Sequence, residues 1–153
     1  MTSKIHPSAE VQSPRVGENT VVWQNTVVLA GATVGSECNL NCFCFVENDV
    51  HIGNRVTVKS GVYLWDGMTV EDEVFIGPNA TFTNHRHPRS KTPPSEFDRI
   101  VLKKGCSVGA NATVIGPCTV GVNALVAAGA VVTKDVPDNV VVAGNPARIL
   151  RQR

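Results

Sequence analysis

The stretch VWQNTVVLAGATVGSECNLNCFCFVENDVHIGNRVTV, Val22 to Val58, returns to a large aliphatic residue at every sixth position: Val22, Val28, Val34, Leu40, Val46, Ile52 and Val58. The beat extends back to Val16 and forward through Leu64, Val70, Ile76 and Phe82. All of these positions are apolar in a chain that is 42% hydrophobic, whereas chance would make about five of the twelve apolar. The residue four places after each is small or apolar: Thr20, Thr26, Ala32, Cys38, Cys44, Val50, Val56, Val62, Met68, Val74 and Ala80. The beat resumes at Leu102, Val108, Val114, Val120, Val126 and Val132, with Cys106, Ala112, Cys118, Ala124, Ala130 and Val136 as small partners. An amphipathic helix needs a period of about 3.6 and a two-faced strand a period of about 2. A period of six fits a short strand and a corner, repeated, with one large and one small residue turned inward.

This hexapeptide repeat, running over nearly the whole chain, resembles the left-handed parallel β-helix of the hexapeptide acyltransferase superfamily. The resemblance implies an all-β fold in which three hexapeptides make one triangular coil and residues 18 apart share a corner. It implies a single β-helix domain over 1–153, with a C-terminal cap over 137–153 that is expected to be short and helical. No coil buries its own interior, so coils must stack and the ends must be capped.

Bulk properties exclude several classes. The chain has 153 residues, a net charge of +1 and 18% charged residues, which gives no electrostatic case for nucleic acid or an acidic membrane. No apolar run approaches the roughly 20 residues of a spanning helix, and MTSKIHPSAE lacks a signal-peptide core, so a cytoplasmic protein is expected. The five cysteines form no CxxC pair, which argues against a disulfide framework or a structural zinc site. Cys38, Cys44, Cys106 and Cys118 fall on inward positions and read as core; Cys42 falls off that row.

The beat breaks between Phe82 and Leu102, twenty residues apart and therefore out of phase. The segment 83–101 contains Pro88, Pro93 and Pro94, which do not suit a central strand, so it reads as an excursion loop. Loops on rigid scaffolds carry binding residues. Stacking by 18 places Asp66 and Asn48 below Asn84, Gly67 and Asp49 below His85, Trp65 and Glu47 below Thr83, and His87 above Thr69 and His51. Gly67 would leave space beneath His85. A plain polar corner made of Asn and Asp turns is the alternative reading.

The run GVYLWDGMTVEDEVFIGPNATFTNHRHPRS resembles the nucleotide-sugar N-acetyltransferase branch of the superfamily, of the 3-amino-deoxyhexose type. That resemblance implies an acetyl-CoA-dependent N-acetyltransferase acting on a dTDP- or UDP-linked amino sugar, with no metal. It implies that Asn84 contacts the sugar amine; relatives often carry Asp at the next position, where this chain has His85. Asn84 and His85 are then the catalytic candidates, the amine proton passing to His85 or, in the alternative reading, being handled by the substrate itself. Asp66 would orient the site, Trp65 and Tyr63 would stack on a base or sugar, and Arg86, Arg89 and Lys91 would meet the diphosphate.

The run VAAGAVVTKDVPDNVVVAGNPARIL resembles the acyl-CoA part of these enzymes, and its G-N-P-A-R ending is widespread among them. By that resemblance Ala110, Ala128 and Gly129 would line the pantetheine arm, and Lys134 and Arg148 would hold CoA phosphates. A homotrimer with sites between subunits is implied in the same way. The alternatives are a sugar O-acetyltransferase, a metal hydratase like the γ-class carbonic anhydrases using His51, His85 and His87, and a non-catalytic β-helix protein.

Overall fold

The computed structural model describes residues 1–153 and contains strands and turns only, so no helix is long and apolar enough to cross a membrane. Strands of two or three residues follow one another at six-residue intervals, each separated from the next by a corner. They assemble into stacked parallel ladders that form the flat faces of a β-solenoid. Partners lie 18 residues apart, as in Asn39↔Thr57, Phe45↔Tyr63 and Ile52↔Val70.

The six-residue beat is the core. Val22, Val28, Leu40, Val46, Val58, Leu64, Val70 and Ile76 are all buried, and so are their partners Thr20, Thr26, Ala32, Val50, Val56, Val62, Met68 and Val74. The resumed beat, Leu102 to Val132, is buried in the same way. Phe82 is the only aromatic on the large inward row and heads the fully buried side chains by volume. Two small inward residues are threonines. Each satisfies its hydroxyl on the next coil, Thr20 Oγ1 on the Gly35 carbonyl at 2.7 Å and Thr26 Oγ1 on that of Asn41 at 2.6 Å.

Two of the three corners turn through a left-handed residue on every coil. Asn25, Phe43, Gly61, Asn79, Asn111 and Gly129 line one edge, and Asn19, Glu37, Arg55, Glu73, Gly105 and Asn123 line another. The third edge has only Gly67, at φ +92°. From this edge the chain leaves the coil after the strand Thr81–Thr83 and returns with Ile100–Leu102. Partners across the excursion are 32 apart rather than 18, as in Val70↔Leu102 and Ile76↔Val108, so it inserts fourteen residues without disturbing the register.

One ladder is interrupted. Phe45 and Glu47 donate to the carbonyls of Val62 and Leu64 on the coil above, at 3.1 and 3.0 Å. The corresponding bonds one coil higher, from Tyr63 and Trp65 to Ala80 and Phe82, are absent, and this face divides into two sheets there. The break coincides with the Phe82 coil. The other two faces run through it without a gap.

The expected C-terminal helical cap is not formed. The cap is an antiparallel hairpin of Val140–Ala143 and Arg148–Gln152, with a register shift between Val141 and Val142. The reason is local. Val140, Val141 and Val142 are β-branched, and the strand pairs Val141 with Leu125 and Val142 with Val126 on the last coil. The returning strand pairs along Val140–Ala143 and ends the longest of the sheets.

Candidate active site

The excursion begins and ends at one level of the stack. Asn84 stands over Asp66, to whose carbonyl its Nδ2 donates at 2.9 Å. Asp98, fourteen residues later, closes the neck: its N–H donates to the Asn84 carbonyl at 2.8 Å, and its Oδ2 accepts from the Arg86 N–H at 3.3 Å. The level above Gly67 therefore belongs to the returning chain. Ile100 N–H bonds the Gly67 carbonyl at 3.2 Å, and a Cβ added to Gly67 would meet the Asp98 carbonyl at 3.0 Å. The expected space beneath His85 is filled by Asp98, because the excursion leaves the coil at His85 and Arg99 takes the place in register. For the same reason Val101, not His87, continues the column of His51 and Thr69.

A cavity of about 270 Å³ opens at the neck, lined by Asn84, His85, Arg86, His87, Pro94, Glu96, Asp98 and Pro117. His85 is half-buried and its imidazole makes no hydrogen bond within the chain. Apart from two prolines and two histidines the lining is amide, guanidinium and carboxylate, and it includes the two carboxylates of Glu96 and Asp98. Such a cavity suits a small polar group able to carry positive charge.

Arg86 turns back toward the coils above, its Nε on the Gly116 carbonyl at 3.2 Å and its Nη2 on the Thr133 carbonyl at 3.4 Å. Arg89 and Lys91 lie exposed near the loop tip.

The remaining expected acceptor-side residues are placed as follows. Asp66 takes its N–H to Glu47 Oε2 and offers its own Oδ1 to the Asp49 N–H, both at 2.7 Å, so its carboxylate faces down the stack and only its carbonyl holds Asn84. Trp65 is packed against the core and against Phe45 and Tyr63, with ring centroids 5.8 and 5.9 Å away. Tyr63 is 48% exposed on the same face. Sequence reasoning missed Asp98 and Glu96. Asp98 becomes visible only when the insert length is known, since removing fourteen residues brings it onto position 84.

On the later coils Ala110 and Ala128 stack, with the Gly129 N–H on the Ala110 carbonyl at 2.9 Å, and a Cβ added to Gly129 would meet nothing within 4 Å. Lys134 and Arg148 line one cavity of about 460 Å³ with Val132, Thr133, Val142 and Ile149. His51 is not brought to His85 and His87. Its Nδ1 is 2.9 Å from Thr33 Oγ1, and its Nε2 is 3.5 Å from Asp49, which also pairs with Arg99 at 3.0 Å.

Comparison with known proteins agrees with this architecture. Residues 101–134 match the family model described as the hexapeptide repeat of succinyl-transferase. The chain is 50% identical over 148 residues to the dTDP-3-amino-3,6-dideoxy-alpha-D-galactopyranose 3-N-acetyltransferase of Aneurinibacillus thermoaerophilus, covering 97% of this chain and 77% of that protein. It is 32% identical to the bifunctional protein GlmU of Lactococcus lactis subsp. cremoris (strain MG1363), over 96% of this chain but only 31% of that longer one. Among solved structures, a hexapeptide-repeat acetyltransferase of Vibrio cholerae complexed with acetyl coenzyme A is 27% identical, with a TM-score of 0.67 over 90% of this chain and 70% of that one. A repeat whose inward rows are buried from Val22 to Val132, together with 50% identity over 97% of this chain, places it in the hexapeptide-repeat acetyltransferase family.

Proposed function

We propose that this acetyltransferase moves the acetyl group of acetyl-CoA onto the amino group of a nucleotide-linked amino-deoxy sugar, with a dTDP-linked 3-amino-dideoxyhexose as the acceptor of choice. The observation that carries the reading is the cavity at the excursion neck, where Asn84 and His85 meet the carboxylates of Glu96 and Asp98. Two carboxylates favour an acceptor that arrives as an ammonium over a neutral hydroxyl, which supports N- over O-acetylation. The 50% identity to a 3-N-acetyltransferase supports the sugar class.

In this reading the Asn84 side chain, held by the Asp66 carbonyl, turns its Oδ1 to the amine and aligns its lone pair. The ammonium first gives up one proton to solvent, and His85 accepts a second from the nitrogen as the C–N bond forms. The tetrahedral oxyanion is met by a backbone N–H near the Gly129 position of a neighbouring subunit. Its collapse breaks the C–S bond, and the thiolate takes up the proton to leave as free CoA thiol. Ala110, Ala128 and Gly129 give the pantetheine arm an unobstructed corner, and Lys134 and Arg148 pair with CoA phosphates. Arg89 and Lys91 reach the diphosphate of the acceptor, and Tyr63, over Trp65, offers a face to its base. A left-handed winding, a homotrimer with sites between subunits, and a cytoplasmic location complete the reading.

The test is release of free thiol from acetyl-CoA with dTDP- and UDP-linked 3-amino sugars, and with the 3-hydroxy counterpart of each. The amino sugars are expected to turn over and the hydroxy sugars to be at least ~100-fold slower. His85→Asn is expected to lower kcat by about 100-fold or more at pH 7, the usual range for loss of a general base. If that variant keeps a near wild-type kcat from pH 6 to 9, His85 is not the base. Asn84→Ala is expected to raise KM for the sugar nucleotide and to lower kcat.

A further inference from the structure

His85 is a side chain without a partner between two residues that have several. On one side Asn84 is fixed through Nδ2 to the Asp66 carbonyl at 2.9 Å and through its own carbonyl to the Asp98 N–H at 2.8 Å. On the other side Arg86 is fixed through its N–H to Asp98 Oδ2 at 3.3 Å, through Nε to the Gly116 carbonyl at 3.2 Å and through Nη2 to the Thr133 carbonyl at 3.4 Å. The backbone at His85 is thus held from both flanks, and the flanks determine where the imidazole stands. Gly116 and Thr133 lie on coils above the neck, and Thr133 also lines the cavity containing Lys134 and Arg148. The guanidinium therefore ties the excursion to the wall of the second cavity.

A guanidinium used in this way has a different task from one that binds a diphosphate. Two of its nitrogens are committed to carbonyls, in a fork geometry that a lysine ammonium does not reproduce. We infer that Arg86, with Asp98 as its brace, is a positioning residue that sets His85 against the acceptor amine, and that the diphosphate is left to other cations of the loop. This rests on the reading of His85 as the base.

The two roles of Arg86 separate kinetically. A phosphate contact acts on binding of the nucleotide part, and its loss raises KM and weakens dTDP in a salt-dependent way. A positioning residue acts on the reacting geometry, where a displacement of about 1 Å costs on the order of 100-fold. The experiment uses Arg86→Ala and Arg86→Met, the latter keeping an apolar stem beside the coil, together with His85→Asn and the double variant Arg86→Met/His85→Asn. The readouts are kcat, KM for both substrates, the pH profile of kcat and calorimetric affinity for dTDP.

Expected are a 10- to 100-fold lower kcat in both Arg86 variants, dTDP affinity and sugar-nucleotide KM within about threefold of wild type, and a double variant no slower than His85→Asn alone. Arg86→Lys is expected to recover only part of the loss. A tenfold weaker dTDP affinity with unchanged kcat overturns the inference and makes Arg86 a phosphate ligand. A double variant slower than His85→Asn by the full Arg86 factor overturns it too, while leaving the base reading intact. A His85→Asn enzyme with wild-type kcat removes the base reading and this inference together.

Discussion

The five thiols are sorted by the direction in which the coil turns them. Cys38, Cys44, Cys106 and Cys118 point inward and are buried, whereas Cys42 is half-buried, with its Sγ donating to Gln24 Oε1 at 3.2 Å. Burial pushes the thiol of Cys44 up to about 11 and those of Cys106 and Cys118 to about 12, from an ordinary 9.0, and raises Cys38 as well. An iodoacetamide or maleimide probe at pH 8 is expected to modify Cys42 alone in the native protein and all five cysteines in denaturant, read by intact mass. The linkage has a definite sign. In the unfolded chain the thiols ionise from about pH 9, while in the fold they stay protonated to higher pH, so the folded state binds more protons and stability falls as pH rises above about 9. Urea midpoints from pH 7 to 10.5 are expected to be level up to about pH 8.5 and then to decline, and Cys106→Ala is expected to flatten the decline. The inward cysteines are legible in the sequence because each sits on the six-residue period. The Asn84–Asp66 pair is legible for the same reason, since both precede the departure of the chain. Asp98 is not, because its position depends on the length of an insert that no periodicity encodes.

At the scale of the element, the ladder between Tyr63–Leu64 and Thr81–Thr83 is where the structure departs most from simple repetition. Phe45 and Glu47 have acceptors one coil up, whereas Tyr63 and Trp65 do not. Native-state hydrogen exchange is expected to show Tyr63 and Trp65 amides exchanging at least ~10-fold faster than those of Phe45 and Glu47, although all four occupy equivalent positions. Equal protection would mean that the ladder closes in solution. The break falls at the coil of Phe82, the single ring on the inward row, and the six-residue period does not encode it. The terminal hairpin is the other departure. The Gly and Pro of the AGNPAR run mark a turn, yet whether the chain resumes as helix or strand depends on the unpaired edge of Val140–Ala143, a property of the assembled stack. Truncation after Arg148 keeps that arginine but removes the partners of Val140, Val141 and Val142. It is expected to lower the melting temperature by about 4–8 °C, for a loss near 2 kcal/mol, and to cause concentration-dependent association through the bared edge.

For the whole molecule, stability is distributed along one axis, because each coil contacts only its neighbours. Fold class, coil length and the identity of the inward rows follow from a local pattern repeated many times, so they survive any single exception. The site depends on the one place where the pattern stops. The fourteen inserted residues enter and leave through neighbouring positions, Asn84 and Asp98, and the ladders on either side keep their partners in step. The solenoid thus behaves as a rack with one open socket. Lengthening the segment between its two posts costs little, about 0.6 kcal/mol for each doubling of a flexible loop. The socket can therefore take segments of different length and sequence while the packed interior is carried over unchanged.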